Sequence, residues 1–167
     1  MAPSPVSVTV RETASVEPPA AFPVAVGVEL PLIFTGFGPL PAVTAVRDQT
    51  GPWDRVGVSR RPVLSDGSVV HERITDHQPP SFFGYEVSGF TGLLGWAVHG
   101  ARGEWRLAPG AGGGTAIEWT YAFRPRRFRR APVRLAVAPL WRAYMRRALA
   151  ATVREMHARA GRAPAGR

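Results

Sequence analysis

The sequence predicts an α+β domain in which one curved antiparallel β-sheet wraps around a long C-terminal helix. Three observations lead there. Between Val43 and Arg124, runs of β-branched and aromatic residues are separated by clusters of Gly, Pro, Ser and Asp, the punctuation of strands and turns. Consecutive strands joined by such short connections pair antiparallel, since a parallel crossover needs a dozen or more residues. From Pro132 to about Ala160 the apolar spacing becomes helical, with Val137, Leu140, Trp141, Tyr144, Ala148, Thr152 and Met156 forming one stripe.

The elements follow in order. Val6 to Thr13 alternates apolar and polar residues, which is the pattern of a half-buried strand. Glu17 to Phe22 opens a helix, because proline is tolerated in a first turn; Pro23, Gly27 and Pro31 keep it short. Phe34 to Pro41 is a loop. Its Gly36-Phe37-Gly38 lacks the third glycine and following helix of a nucleotide fingerprint, and reads as a hinge or cavity lid. Strands are expected over Val43–Arg47, Asp54–Leu64, Ser68–Thr75, Phe82–Gly89, Val98–Ala108 and Thr115–Arg124. Pro139 should kink the last helix or mark its true start. Residues 1–160 are expected to form a single domain, with 161–167 expected to be a disordered tail.

Composition removes several function classes. There is no cysteine, which excludes disulfides and thiolate chemistry. All basic residues are arginine, so a Schiff base, pyridoxal phosphate attachment and a P-loop are excluded. Missing lysine and abundant Ala, Gly, Pro and Arg suggest a GC-rich genome, so part of the net charge of +9 is compositional. The N-terminus lacks the pattern of a signal peptide, and Ala20–Phe34 is too short and interrupted to span a bilayer. The expectation is a soluble, cytoplasmic protein without a cofactor. His71, His77 and His157 have no metal-ligand spacing, so no metal is expected.

The order of elements is that of a helix-grip domain, and at this point the chain resembles the START-like superfamily of polyketide cyclase/dehydrase and lipid-transport proteins. The resemblance rests on Ile33 to Val43, Gly51-Pro52-Trp53-Asp54, Gly100 to Trp105, Gly114 to Trp119 and Leu140 to Met145, which are similar to actinobacterial members. It covers nearly the whole chain. It implies a cavity under the helix, but this fold hosts enzymes, carriers and receptors alike.

Register arguments then propose the inward residues. A two-residue turn at Asp66-Gly67 sets Val63 opposite Val70 and Arg61 opposite Glu72, placing an Arg61–Glu72 pair inside and Arg60 outside. In the last hairpin Trp105 faces Trp119, with Tyr121 on the same face, and strict alternation carries His99 inward. Phe83, Tyr85 and Val87 are the inward set of their strand, with Glu86 outside. The candidate acid–base and orienting groups are therefore Glu72, His99, Arg61 and Tyr85. The candidate ligand wall is Phe34, Phe37, Phe83, Trp105, Trp119, Tyr121, Trp141 and Tyr144.

The expected function is binding of a hydrophobic, polyketide-like molecule and assistance of its cyclisation or dehydration, a biosynthetic role. The alternative is a non-catalytic carrier or sensor of a hydrophobic ligand or lipid. The run Arg124, Arg126, Arg127, Arg129, Arg130 and Arg134 lacks a nucleic-acid module, so no nucleic-acid partner is expected. A solvated loop before the helix, an anionic lipid surface or an acidic carrier protein delivering a tethered substrate are the readings left for it.

Overall fold

The computed structural model describes residues 4–162. Seven strands form one antiparallel sheet in the order β1-β7-β6-β5-β4-β3-β2. They are β1 (Val6–Ala14), β2 (Val43–Arg47), β3 (Ser59–Leu64), β4 (His71–Gln78), β5 (Phe82–Ser88), β6 (Val98–Pro109) and β7 (Thr115–Pro125). Helices α1 (Pro18–Gly27) and α2 (Leu30–Ile33) separate β1 from β2, α3 (Gly92–Ala97) separates β5 from β6, and α4 (Arg130–Pro132) leads to α5 (Ala138–Arg162). The expected architecture is the observed one. Two strands are shorter or shifted: Asp54 to Val58 stays outside β3, and β4 begins at His71, not Ser68. The tail expected over 161–167 begins as helix, since Gly161 and Arg162 belong to α5; 163–167 lie outside the described residues.

Pro132 and Pro139 explain how the last helix starts. Proline has no N–H to return to the carbonyl four residues back. Val133–Val137 accordingly takes a wider π turn, closed by the Ala138 N–H bonding to the Val133 carbonyl. Pro139 then sits in the first turn of α5, so it marks a start. Val133 and Ala138 bury their side chains at this join.

The β3–β4 hairpin corrects the expected register. Arg60 pairs with Glu72 and Ser59 with Arg73, one residue away from the Arg61–Glu72 pairing that a two-residue turn requires. The loop has three residues, Ser65-Asp66-Gly67. Gly67 N–H bonds to the Leu64 carbonyl, Leu64 N–H bonds to the Ser68 carbonyl, and Gly67 sits at φ +84°. This is the three-residue hairpin turn that closes on a left-handed glycine. The side-chain period of a strand is two, so the slip exchanges the faces of β3. Arg60, Pro62 and Leu64 face inward, while Arg61 is exposed near Asp48. Glu72 and Ile74 on β4, and Val70 just before it, face inward.

The β6–β7 hairpin has the expected register, with Trp105 opposite Trp119 and Leu107 opposite Ile117. His99 does not follow. The pairing shifts between Val98 and Gly100, so His99 is the extra residue of a bulge and is exposed, with Val98 buried in its stead.

The sheet and helix enclose two different interiors. At the β1–β7–β6 side, Trp105 stacks on Trp119 at 4.6 Å and on Phe83 at 5.6 Å. The C-terminal part of α5 adds Met145, Ala148, Leu149, Thr152 and Met156, all buried. That side is solid core. Toward β3 and β4 the helix and sheet separate around an open space.

Candidate functional site

The space is a cavity of about 410 Å³. Its floor is the inward face of β3, β4, β5 and β7, through Pro62, Leu64, Val70, Glu72, Tyr85, Val87 and Tyr121. Its roof is the start of the last helix, with Val137, Leu140, Trp141 and Tyr144, and its ends are the Phe34–Pro41 loop and α3. The size and the apolar lining with a few placed polar groups suit a small hydrophobic molecule.

Glu72 is the most buried carboxylate on this wall. Its side chain and that of Arg60 are only 11% and 10% exposed, and Arg60 Nε donates to Glu72 Oε2 at 2.7 Å. The Arg60 guanidinium also lies 3.8 Å over the Trp53 ring. This cation is thus held between a carboxylate and an aromatic face, both of which favour it. Sequence reasoning assigned the pair to Arg61. Gly67 fits the left-handed position of a three-residue turn as well as the Asp66-Gly67 of a two-residue one, so turn chemistry in the sequence leaves Arg60 and Arg61 open.

Tyr85 reaches across the sheet. Its hydroxyl accepts a hydrogen bond from Trp119 Nε1 at 3.2 Å, although β6 lies between their strands. Gly103 makes that reach possible. It stands opposite Tyr85, and a Cβ there would collide with the phenol ring. Burial, followed by the charge of Glu72, raises the Tyr85 pKa far above its ordinary value, so the phenol keeps its proton. Burial is also the main reason the Tyr121 pKa is raised. The site therefore offers two phenols that keep their protons beside the buried carboxylate of Glu72, with Asp66 at the exposed edge of the cavity.

The Phe34–Pro41 loop is strapped to α5. Tyr144 Oη donates to the Pro41 carbonyl at 2.8 Å and accepts from Gly36 N–H at 3.0 Å. Phe34 meets the Tyr144 ring edge-on at 5.3 Å, and Phe37 stacks on it at 6.3 Å. Gly36 and Gly38 both have positive φ, which lets the loop fold back over the helix.

Of the candidate residues, the structure brings Glu72, Tyr85, Phe34, Tyr121, Trp141 and Tyr144 to the cavity wall. It places Phe83, Trp105 and Trp119 in the solid core behind Tyr85, and Phe37 against Tyr144 and Arg147. Arg61 and His99 lie outside, for the register reasons given above. The sequence reading missed Arg60, Trp53 and the α3 end of the cavity. Trp141 Nε1 is, among the described residues, the buried side-chain polar atom left without a partner. No group of three His, Asp or Glu able to hold a metal occurs among the described residues.

A curved sheet gripping a helix over an apolar cavity defines a helix-grip binding protein. The chain belongs to the family described as polyketide cyclase / dehydrase and lipid transport, whose model matches residues 5–160. Solved structures share the fold at low identity. Ara h 8.0201 superposes with a TM-score of 0.70 at 17% identity, covering 92% of this chain and 99% of its own. Ginseng major latex-like protein 151 from Panax ginseng gives 0.65 at 12% identity, with 92% and 99% covered. The protein XoxI from Bacillus cereus gives 0.60 at 16% identity, with 90% and 95% covered. A comparison with curated protein sequences gives no match. Family and fold together support binding of a hydrophobic ligand.

Proposed function

We propose that the cavity takes a hydrophobic, ring-containing or polyketide-like molecule and assists its cyclisation or dehydration. The observation that carries this reading is a buried carboxylate, Glu72, beside a proton-retaining phenol, Tyr85, in a mostly apolar cavity whose other carboxylate, Asp66, is exposed. Arg60 occupies Glu72 Oε2, which leaves the other oxygen for a ligand. In a chain folded so that an acidic CH₂ meets Glu72, the carboxylate takes a proton from that carbon. Tyr85 donates to the neighbouring carbonyl oxygen as charge develops on it. The carbanion adds to a second carbonyl of the same chain, and the protonated Glu72 returns its proton to the new alkoxide; loss of water then completes a dehydration. Holding the two ends together supplies much of the rate, since oriented intramolecular reactions reach effective molarities of about 10⁵ M or more.

The carrier reading draws on a different feature: Glu72 already neutralises Arg60, which is a sufficient structural reason for a carboxylate there. The two readings separate on turnover. Aromatic polyketides and their linear precursors are titrated by quenching of Trp141 fluorescence while product formation is followed. Glu72→Gln should lower turnover by about 10²–10⁴-fold with binding retained, and Tyr85→Phe should do so less severely. Circular dichroism must accompany the measurement, because Glu72→Gln also strands Arg60, at a cost of about 3–5 kcal/mol if the pair behaves as fully buried. Unchanged turnover in folded Glu72→Gln refutes the acid–base role, and binding without any turnover in the wild type establishes the carrier.

A further inference from the structure

We propose that the rim of the cavity mouth docks on an anionic lipid bilayer, the partner for the arginine run that precedes the last helix. Two segments form the arginine-bearing part of this rim, which the exposed Pro39 and Asp66 also border. One is α3, whose Leu93 and Leu94 line the cavity; the other runs from the end of β7 through the π turn, whose Ala136 and Val137 line it from the facing side. They are bound to one another. Arg126 N–H bonds to the Ala97 carbonyl at 2.9 Å, Arg126 Nε bonds to the Gly95 carbonyl at 2.7 Å, and the Arg129 guanidinium lies 3.7 Å over the Trp96 ring.

The rim exposes what a folded domain usually hides. Leu93 is 85% exposed, Phe128 79%, Leu135 70% and Trp96 49%. Phe128 has φ +62°, a conformation costly for an aromatic residue, at an exposed turn. Scattered single apolar side chains need no explanation, whereas four on two joined segments do. The remaining exposed large apolar residues among those described, Leu32, Val56 and Val69, lie on α2 and in two other loops.

Charge selects the occupant. The two segments carry Arg126, Arg127, Arg129, Arg130 and Arg134 and no acidic residue between Phe90 and Ala97 or between Arg126 and Val137. Arg124, just before them, is neutralised by Glu86. An acidic protein face would satisfy the guanidinium groups but leave Leu93, Phe128 and Leu135 against polar surface. A leaflet of anionic lipid accepts both, with headgroups for the arginines and acyl chains for the apolar tips. Duplex nucleic acid also satisfies only the charge. A docked mouth would let a hydrophobic ligand pass between bilayer and cavity without crossing water. The docking itself does not depend on the ligand-binding reading.

Flotation of the wild-type protein with vesicles tests it, using phosphatidylcholine alone and phosphatidylcholine with about a third phosphatidylserine. Strong binding to the anionic vesicles, weakened by salt, and little to the neutral ones is expected. Arg127→Gln with Arg134→Gln should weaken anionic binding roughly 25-fold, about five-fold for each arginine near a charged surface. Phe128→Asn with Leu135→Gln leaves every charge in place, and asparagine suits the positive φ. This variant should still lose at least roughly ten-fold, because adhesion requires buried apolar area as well as charge. None of these four side chains lines the cavity, so quenching titrations with a bound ligand should be unchanged and separate this idea from the proposed function. Wild-type-like flotation of the Phe128/Leu135 variant would overturn it, as would absent anionic selectivity. Tight binding to an acidic acyl carrier protein or to duplex DNA without vesicle binding would do so too.

Discussion

Single residues decide the chemistry of the wall. Gly103 is one of them: with a Cβ it would strike the ring of Tyr85. Gly103→Ala should therefore destabilise the fold by about 1–3 kcal/mol, as overpacking does. The same change on a Tyr85→Ala background should cost nearly nothing, a coupling that a double-mutant cycle in urea would read. Asp76 works on the outer face, where Arg102 Nη2 donates to it at 2.7 Å. That hydrogen bond, followed by one from Thr75, holds the Asp76 pKa below the ordinary 3.8. A lowered folded pKa gives stability that is fully present above 3.8 and lost as pH falls through the folded value. Melting curves of wild type and Asp76→Asn should thus differ at neutral pH and converge below that range. Equal melting temperatures at pH 6 would show that the pair is too exposed to matter.

At the level of elements, turn chemistry and bulges set which side chains meet. A three-residue loop in the β3–β4 hairpin exchanges Arg61 for Arg60, and a bulge at the start of β6 expels His99. In the β6–β7 hairpin no such irregularity falls between Gly100 and Pro109, and the expected Trp105–Trp119 pair forms. Trp105 is buried on the solid side, away from the cavity wall. Trp105→Ala should accordingly cost the full about 3–5 kcal/mol of a large-to-small core change, with ligand affinity preserved. A small loss of stability joined to lost binding would instead make Trp105 part of the ligand site.

The whole molecule is asymmetric: one side of the grip is packed with tryptophan and methionine, the other is hollow and opens beside an apolar, arginine-rich rim. A ligand filling the hollow side joins sheet to helix and binds only the folded state. At a concentration one hundred times its dissociation constant it should add about 2.7 kcal/mol to unfolding. For a chain of this size that is a rise in melting temperature of roughly 5–10 °C. A quenching ligand that leaves the melting temperature unchanged would bind elsewhere. Among the described residues no helix is long and apolar enough to cross a membrane.

Local pattern alone determined the antiparallel sheet, the long helix with its apolar stripe, the Trp105–Trp119 face and the inward set Val70, Glu72 and Ile74. Each of these is a periodicity of two or 3.6 that survives any choice of neighbour. Two of the four expected acid–base and orienting groups, Glu72 and Tyr85, reach the cavity wall, because their strands keep strict alternation through those positions. Only tertiary structure decided that Arg60 is the partner of Glu72, that His99 faces outward, and that Gly103 yields its space to Tyr85. It also decided that α3 and the arginine run meet at the cavity mouth. These depend on loop length, on one inserted residue, or on segments distant in sequence coming together. Hydrophobic patterning carries no record of any of the three, because it fixes which face of an element is buried but not its register or its neighbour across the fold.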